Sequence, residues 1–368
     1  MTQPERMTYA SVGVNYDAMD PLKRFAQQIA RKTSPNITRF KDAEEIEVSR
    51  GESAYVWRIG GSLLALTQEC LGTKPLVADE MRKITGKTYY DQLAQCTVAM
   101  IVNDLITVGA DPMAVNAYFG AGNSEWFEDE ERMKDLITGW ANACDLAGAV
   151  WGGGESPSLT GIVEGDKVDL AGAGVGIIEP HNRLILGDNL AAGDAILLIE
   201  SSGVHANGLT LARKVASILP EGYATLLPSG RMFGEALLTP TTIYAGLTRD
   251  LYNSEVDIHY MSNITGHGWR KLMRADRNLT YVIEELVPVH EEFNFIQEKT
   301  GLPIDEMYTV FNMGAGYAIF LPEEQVSLAQ EIALKNHGIK AYQAGHVIGP
   351  QNVFVMPLGI HYDQLGVR

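Results

Sequence analysis

Four short stretches of this 368-residue chain combine residue types that do chemistry with neighbours able to fix them in place. The first is Asn103-Asp104, which follows the apolar run Val98-Ala99-Met100-Ile101-Val102. A carboxylate among such neighbours is costly to bury unless paired or bound to a metal; the other reading is a helix-end acid facing solvent. The second is Trp151-Gly152-Gly153-Gly154-Glu155-Ser156. Its three glycines permit unusual dihedrals and close backbone approach beside an acid, and a plain tight turn fits it as well. The third, Ser201-Ser202-Gly203-Val204-His205-Ala206-Asn207-Gly208, joins an apolar run to a helical one. Backbone N–H groups at such a helix start could hold an anion, with His205 either a ligand contact or a polar cap. The fourth, Asn263-Ile264-Thr265-Gly266-His267-Gly268, is another glycine-rich turn before a helix, where His267 is open to a site role or a surface role. Two look-alikes fail. The run Met81 to Thr88 imitates a P-loop but has Met where the loop needs Gly and no strand before it. Gly172-Ala173-Gly174-Val175-Gly176 lacks dinucleotide spacing and sits within a strand pattern.

An alternating series of elements must position these residues. Asp20-Pro21 reads as the N-cap and first position of a helix, with Leu22, Phe25, Ala26, Ile29 and Ala30 at helical spacing. Residues 54–66 read as a hairpin around Gly60-Gly61, and residues 92–108 as an apolar helix stopped by Gly109 and Asp111-Pro112. A second helix spans about 128–147, with Met133, Leu136, Ile137, Trp140, Ala141 and Cys144 as its apolar stripe, so Cys144 reads as core. Residues 168–178 and 195–200 read as buried strands, with a polar, turn-rich joint between them near residue 180. The strand–helix habit then repeats: helix 209–219, strand 315–321, helix 324–336, strand 340–348. This pattern predicts two α/β domains, residues 1–180 and 181–368. The balance of 29 Lys+Arg against 46 Asp+Glu, net −17, argues against nucleic acid as a partner. A small phosphorylated ligand remains compatible, because magnesium and backbone N–H groups can hold phosphate on an acidic protein. Three scattered cysteines, no apolar run near the ~20 residues of a membrane span and no secretory leader point to the cytoplasm, away from any membrane.

Taken in order, these stretches resemble the aminoimidazole ribonucleotide (AIR) synthetase family, the cyclo-ligases of purine synthesis. Tyr9, Gly13-Val14 and Asp17 resemble its N-terminal segment, and Leu71-Gly72-Thr73-Lys74 the end of its GTDGVGTK motif. Val98-Ala99-Met100 with Val102-Asn103-Asp104-Leu105 matches its VAM-x-VNDL helix. Gly153-Gly154-Glu155-Ser156 resembles GGET, and the stretch from Ser201 to Gly208 differs from SSGVHSNG at one place. Leu238-Thr239-Pro240-Thr241 with Ile243-Tyr244, Ile264-Thr265-Gly266, and Phe311-Asn312 with Gly314 and Gly316 complete the series. There are departures. Glu69 stands for a family Asp, Cys70 for a Gly, Cys96 for another Asp, Thr242 for an Arg, and His267 interrupts TGGG. Ser156 to Val163 replaces TAEMPGMY, with Ser158 where a second Glu is lost.

The resemblance implies an ATP- and Mg2+-dependent ring closure on a small phosphorylated substrate, in two α/β domains (α+β in class) that dimerise through the N-terminal sheet. It assigns Glu69, Asp104 and Glu155 to metal, because magnesium takes hard oxygen ligands and bridges phosphates. It sets Lys74 on phosphate as a point charge and makes Lys74 and His205 the catalytic candidates. Gly72, Thr73, Asn103, Gly153, Gly154, Ser202, Asn207, Thr265 and Gly266 complete the ATP- and substrate-binding set. Ser158, Thr242 and His267 fall near the acceptor. The alternatives are a paralogue with another acceptor, as in selenophosphate synthetases and thiamine-phosphate kinases, and a non-catalytic nucleotide-binding scaffold.

Overall fold

Each half of the chain builds its own sheet. The computed structural model describes residues 13, 16–350 and 352–363, so Tyr9 and Val14 lie outside the described residues. The first half gives helix α1 (Tyr16–Arg31) and strands β1 (Ala43–Glu45), β2 (Tyr55–Ile59) and β3 (Ser62–Cys70). Helices α2 (Lys74–Thr85) and α3 (Tyr90–Leu105), strand β4 (Asp111–Ala121), helix α4 (Glu130–Ala147) and strands β5 (Val150–Glu155) and β6 (Val168–Ile178) follow. These strands form one sheet in the order β1-β2-β3-β6-β4-β5, antiparallel except for β4 and β5.

The second half contributes β7 (Ala195–Glu200), α5 (Leu209–Ile218), α6 (Phe233–Leu238), α7 (Ala245–Tyr252), β8 (Tyr260–Asn263) and β9 (Thr280–Ile283). It closes with α8 (Glu291–Thr300), α9 (Ile304–Val310), β10 (Ala315–Leu321), α10 (Val326–His337), β11 (Ala341–Ile348), β12 (Asn352–Val355) and β13 (Ile360–Tyr362). Its sheet runs β13-β12-β9-β11-β7-β10-β8, with β12 and β9 parallel. Both halves therefore mix helices with largely antiparallel sheet, the α+β arrangement. Among the described residues no helix is long and apolar enough to cross a membrane.

Register decides which side chains reach the site, because neighbours along a strand point to opposite faces. Across β2, β3, β6 and β4, Tyr55 pairs with Leu66, Leu66 with Val175, and Val175 with Ala114; Cys70 pairs with Ala171 and Ala171 with Tyr118. That face carries no helix and leaves Leu66 41% exposed. The other face holds Val56, Ala65 and Glu69 against α3. Glycines in β6 let α3 lie flush on it: a Cβ at Gly172 or Gly174 would stand 2.8 or 2.6 Å from Ile101. The Gly172-to-Gly176 run is thus a helix seat, in keeping with its dismissal as a nucleotide loop.

Two sequence expectations change. Helix α1 starts at Tyr16 and contains Pro21, so Asp20 is not its N-cap. Asp20 is instead buried, paired with Lys23 and 3.3 Å from His267 on the far half of the chain. The stripe Leu22, Phe25 and Ile29 faces solvent rather than core. In α4, Ile137 and Ala141 are exposed, and Gly139, Ala143 and Ala147 take the inner face with Leu136, Trp140 and Cys144. That face packs on α3, and small residues let the two backbones approach closely: a Cβ at Gly139 would stand 2.5 Å from Asp91 Cα, which hydrophobic spacing alone does not reveal. Cys144 is core as expected, its thiol pushed up to about 11 by burial, so it is a poor nucleophile.

Candidate functional site

The end of α3 brings its acid to the junction of the two halves. Asp104 is buried and accepts a 2.7 Å hydrogen bond from Asn263 Nδ2 at the end of β8. Glu69 approaches from the helix-covered face of β3 and is close enough to hydrogen-bond with Asp104. Burial first, then the charge and hydrogen bond of Asp104, push the Glu69 carboxyl up to about 8, against partial relief from Lys271 and Arg274. Two acids side by side cannot both ionise cheaply away from water. A hard divalent cation suits such a pair, since Mg2+ commonly takes one or two carboxylates and completes its shell with phosphate and water.

These acids line a cavity of ≈ 210 Å³, with Asn207 from the loop after β7 and Thr265, Gly266 and His267 from the loop after β8. Lys23, Met100, Asn263 and Lys271 complete it. Five sequence candidates, Glu69, Asp104, Asn207, Thr265 and Gly266, thus converge from opposite ends of the chain. His267, placed near an acceptor by resemblance, joins them. It adopts φ +72°, where Gly is easier, and burial lowers its ring to about 4, so it is neutral there.

The remaining candidates separate into two groups. The first is turned inward. Lys74 is 0% exposed, and its Nζ donates to the carbonyls of His205 (2.7 Å) and Thr239 (2.9 Å) and to Cys96 Sγ (3.1 Å). All three donors are spent within the protein, leaving none for phosphate. Cys96 also accepts from the Thr241 N–H at 3.3 Å. Asn103 clamps α3 to the second half by donating to the Thr242 carbonyl (2.8 Å) and accepting from the Tyr244 N–H (3.0 Å). Ser202 Oγ donates to the Pro240 carbonyl at 2.6 Å. His205 sits at φ +56° and accepts the Ser202 N–H on Nε2 at 3.2 Å. Burial, Lys74 and His290 hold its ring down to about 3, so it is neutral there. Asn312 explains this loop's shape: it donates to Gly203 O (2.8 Å) and accepts from Ser201 Oγ and the Gly314 N–H.

The second group lies elsewhere on the surface. Glu155 lines a different concavity of ≈ 530 Å³ with Gln68, Cys70, Asn116, Tyr118 and Asp169, on the sheet face that carries no helix. Glu69 and Cys70 are adjacent and point to opposite faces, so the sheet itself stands between Glu155 and the acid pair. The three-carboxylate metal set is therefore not assembled: among the described residues no group of three or more metal-capable side chains occurs. Gly154 is required because a Cβ there would meet the Ala117 carbonyl at 2.1 Å, while Gly153 at φ +125° and exposed Gly72 face open space. Thr73 touches Thr210 across the halves at 3.5 Å. Ser158 is exposed beside Ala121, and half-buried Thr242 serves Asn103 through its carbonyl, so neither joins His267 at the cleft.

Lys271 is the cleft residue that sequence reasoning missed. It lies in the short 3-10 helix Gly268–Met273, buried, and burial above all lowers its ammonium to about 7. The available signal was a Lys between Trp269-Arg270 and Leu272-Met273, directly after the fourth glycine-rich stretch.

Comparison with known proteins covers both halves. Residues 51–178 match the family model described as AIR synthase related protein, N-terminal domain, and residues 191–356 match its C-terminal domain. The phosphoribosylformylglycinamidine cyclo-ligase of Pyrococcus furiosus is 33% identical over 356 residues, 97% of this chain and 99% of its own. That of Methanothermobacter thermautotrophicus is 32% identical over 345 residues, 93% and 94% of the two chains. Among solved structures, the hydrogenase maturation protein HypE in complex with ATP aligns with a TM-score of 0.61 at 21% identity, over 84% of this chain and 86% of HypE. Thiamine monophosphate kinase from Aquifex aeolicus aligns at 0.55 and 18%, over 84% and 92%. At these identities the structural likeness is one of fold.

Proposed function

The chain belongs to the AIR synthase related protein family, and from that membership we propose that it is an ATP-dependent cyclo-ligase of purine synthesis. It converts formylglycinamidine ribonucleotide to aminoimidazole ribonucleotide. The observation that carries the reading is near-full-length identity of 33% to a cyclo-ligase, together with an acid pair, Glu69 and Asp104, at the meeting of both halves.

An amide-type oxygen leaves poorly, and phosphorylation turns it into a good leaving group. The γ-phosphorus bond to ADP breaks as a bond to the formyl oxygen forms. The amidine nitrogen then attacks the formyl carbon, the carbon–oxygen bond breaks, and phosphate departs with that oxygen and leaves a proton to solvent. Positioning and charge neutralisation carry most of such a reaction. Glu69 and Asp104 are the pair that would hold Mg2+, which neutralises triphosphate oxygens when bound. Asn207, Thr265 and the Gly266 backbone orient the reacting end from the second half. Residues 1–180 form the nucleotide-binding and dimerising domain, and residues 181–368 close the cleft.

A homodimer acting in the cytoplasm belongs to the same proposal. Tyr55, Leu66 and Val175 form an apolar row on the helix-free face, and Glu155 sits at a concavity of that face, where a second copy would complete a site. Sedimentation is expected to give twice the chain mass, and Leu66→Lys to shift the protein to monomer. A wild-type monomer with full activity removes the dimer from the proposal.

Turnover of the purified protein with ATP and formylglycinamidine ribonucleotide, following ADP and the imidazole product together, tests the function. ATP with Mg2+ at one hundred times its dissociation constant should also stabilise the fold by about 2.7 kcal/mol. Stabilisation by ATP without imidazole formation points to another acceptor. No response to saturating ATP and Mg2+ removes the enzyme reading.

A further inference from the structure

We propose that Lys271 is the cation that meets the transferring phosphoryl group in the cleft, the task that the family resemblance implies for Lys74. The proposal takes the identity of the anion from the cyclo-ligase reading, but the anion subsite itself stands on the geometry below.

Three observations carry it. Lys271 is 8% exposed and lines the acid cleft, yet no hydrogen bond or ion pair to the described residues holds its side chain. Its backbone carbonyl is held by the Ser262 hydroxyl at 2.8 Å and the Arg274 N–H at 3.1 Å, which fixes the turn against β8. A buried ammonium that feels the charge of Glu69 and Asp104 but makes no hydrogen bond is costly, and is retained where a ligand supplies the bond.

The second observation is charge balance. The chain as a whole carries 46 acids against 29 bases, but at this cleft the two are matched. Lys23 and Lys271 line it and Arg274 is near enough to act on both Glu69 and Lys271, against the carboxylates Glu69 and Asp104 and, paired with Lys23 beside His267, Asp20. The third is size. At ≈ 210 Å³ the cavity is below the ~300–1,000 Å³ of sites that enclose a whole small molecule, so it suits the reacting end of a ligand. An ammonium with no hydrogen-bond partner suits a tetrahedral oxyanion there, with Glu69 and Asp104 lining the same pocket.

During transfer the γ-phosphorus bond to ADP breaks while the bond to the formyl oxygen forms, and charge stays on the non-bridging oxygens. Lys271 contacts those oxygens and neutralises them without exchanging a proton. Asn207 and Thr265 line the same space and orient the group.

The test uses the full chain and inorganic phosphate as probe. Equilibrium dialysis with labelled phosphate, without divalent metal, is run on wild type, Lys271→Gln and Lys271→Arg, with circular dichroism as the check on folding. Wild type should bind phosphate, Lys271→Gln should bind at least about tenfold more weakly, and Lys271→Arg should recover most of the affinity, because a charge-assisted hydrogen bond is worth at least that factor. In turnover, Lys271→Gln should lower kcat while leaving KM for ATP within about threefold, the split expected of an interaction made at the moving group. Equal phosphate affinity in wild type and Lys271→Gln overturns the proposal, as does a wild type that binds no phosphate. Should Lys271→Gln not fold, Lys271→Arg decides: loss of phosphate binding in a folded Arg variant overturns the subsite. If phosphate binding follows Lys271 while wild type forms no imidazole, the subsite stands and the cyclo-ligase reading falls.

Discussion

Asp104→Asn is expected to reduce magnesium-dependent ATP turnover by about a hundredfold or more while leaving the fold intact. The amide keeps the shape of the side chain, and its remaining oxygen can still accept the bond from Asn263 Nδ2. What disappears is an anionic oxygen at the acid pair, and a metal ligand or its immediate support typically carries a loss of that size. A second readout follows from Glu69. Its carboxyl is raised from 4.5 to about 8 in the folded protein, so it contributes stability below its unfolded value that is lost as pH rises through about 8. Metal-free wild type should therefore lose thermal stability across that window. In the variant the charge of Asp104 is gone while burial remains, so the decline should be shallower. Wild-type turnover in the variant would exclude Asp104 from the metal site.

Much of the architecture was legible because hydrophobic period and glycine punctuation report it directly. The hairpin around Gly60-Gly61, the apolar helix ending at Gly109 and the strand 168–178 all lie where spacing puts them. Chemistry was legible only in part. A motif records that a residue type is needed and is silent on whether it faces ligand or core. Asn103 and Asp104 are neighbours in one helix, yet one clamps two halves of the protein and the other lines the cleft. Glu69 and Cys70 likewise diverge by the alternation of a strand, which is why Glu155, on the face of Cys70, does not meet Glu69. The missed cation, Lys271, lies 167 positions beyond Asp104, and only the pairing of β8 with β10 brings its turn to the cleft. No local pattern encodes that approach.

Lys74→Met is expected to damage the fold rather than the grip on phosphate. Lys74 opens α2, and its ammonium ties that helix to the His205 and Thr239 carbonyls of the second half and to Cys96 of α3. Methionine conserves the volume of the stem, so packing loss is small. The two carbonyls, however, lose a charged donor in a place water does not reach, and each unsatisfied buried group costs about 1–3 kcal/mol. Part of that is offset because the cost of burying the ammonium also disappears. A net loss of about 2–4 kcal/mol follows, seen as a fall of several degrees in Tm and a lower urea midpoint with little change in slope. Phosphate affinity and the KM for ATP of the folded protein should stay close to wild type, because none of the three donors points at the cleft. Lys271→Gln should show the reverse pattern, with phosphate binding lost and Tm nearly kept. If instead Lys74→Met keeps its Tm and loses ATP, the lysine of the glycine-rich motif is the phosphate ligand and the inward orientation is not the working one.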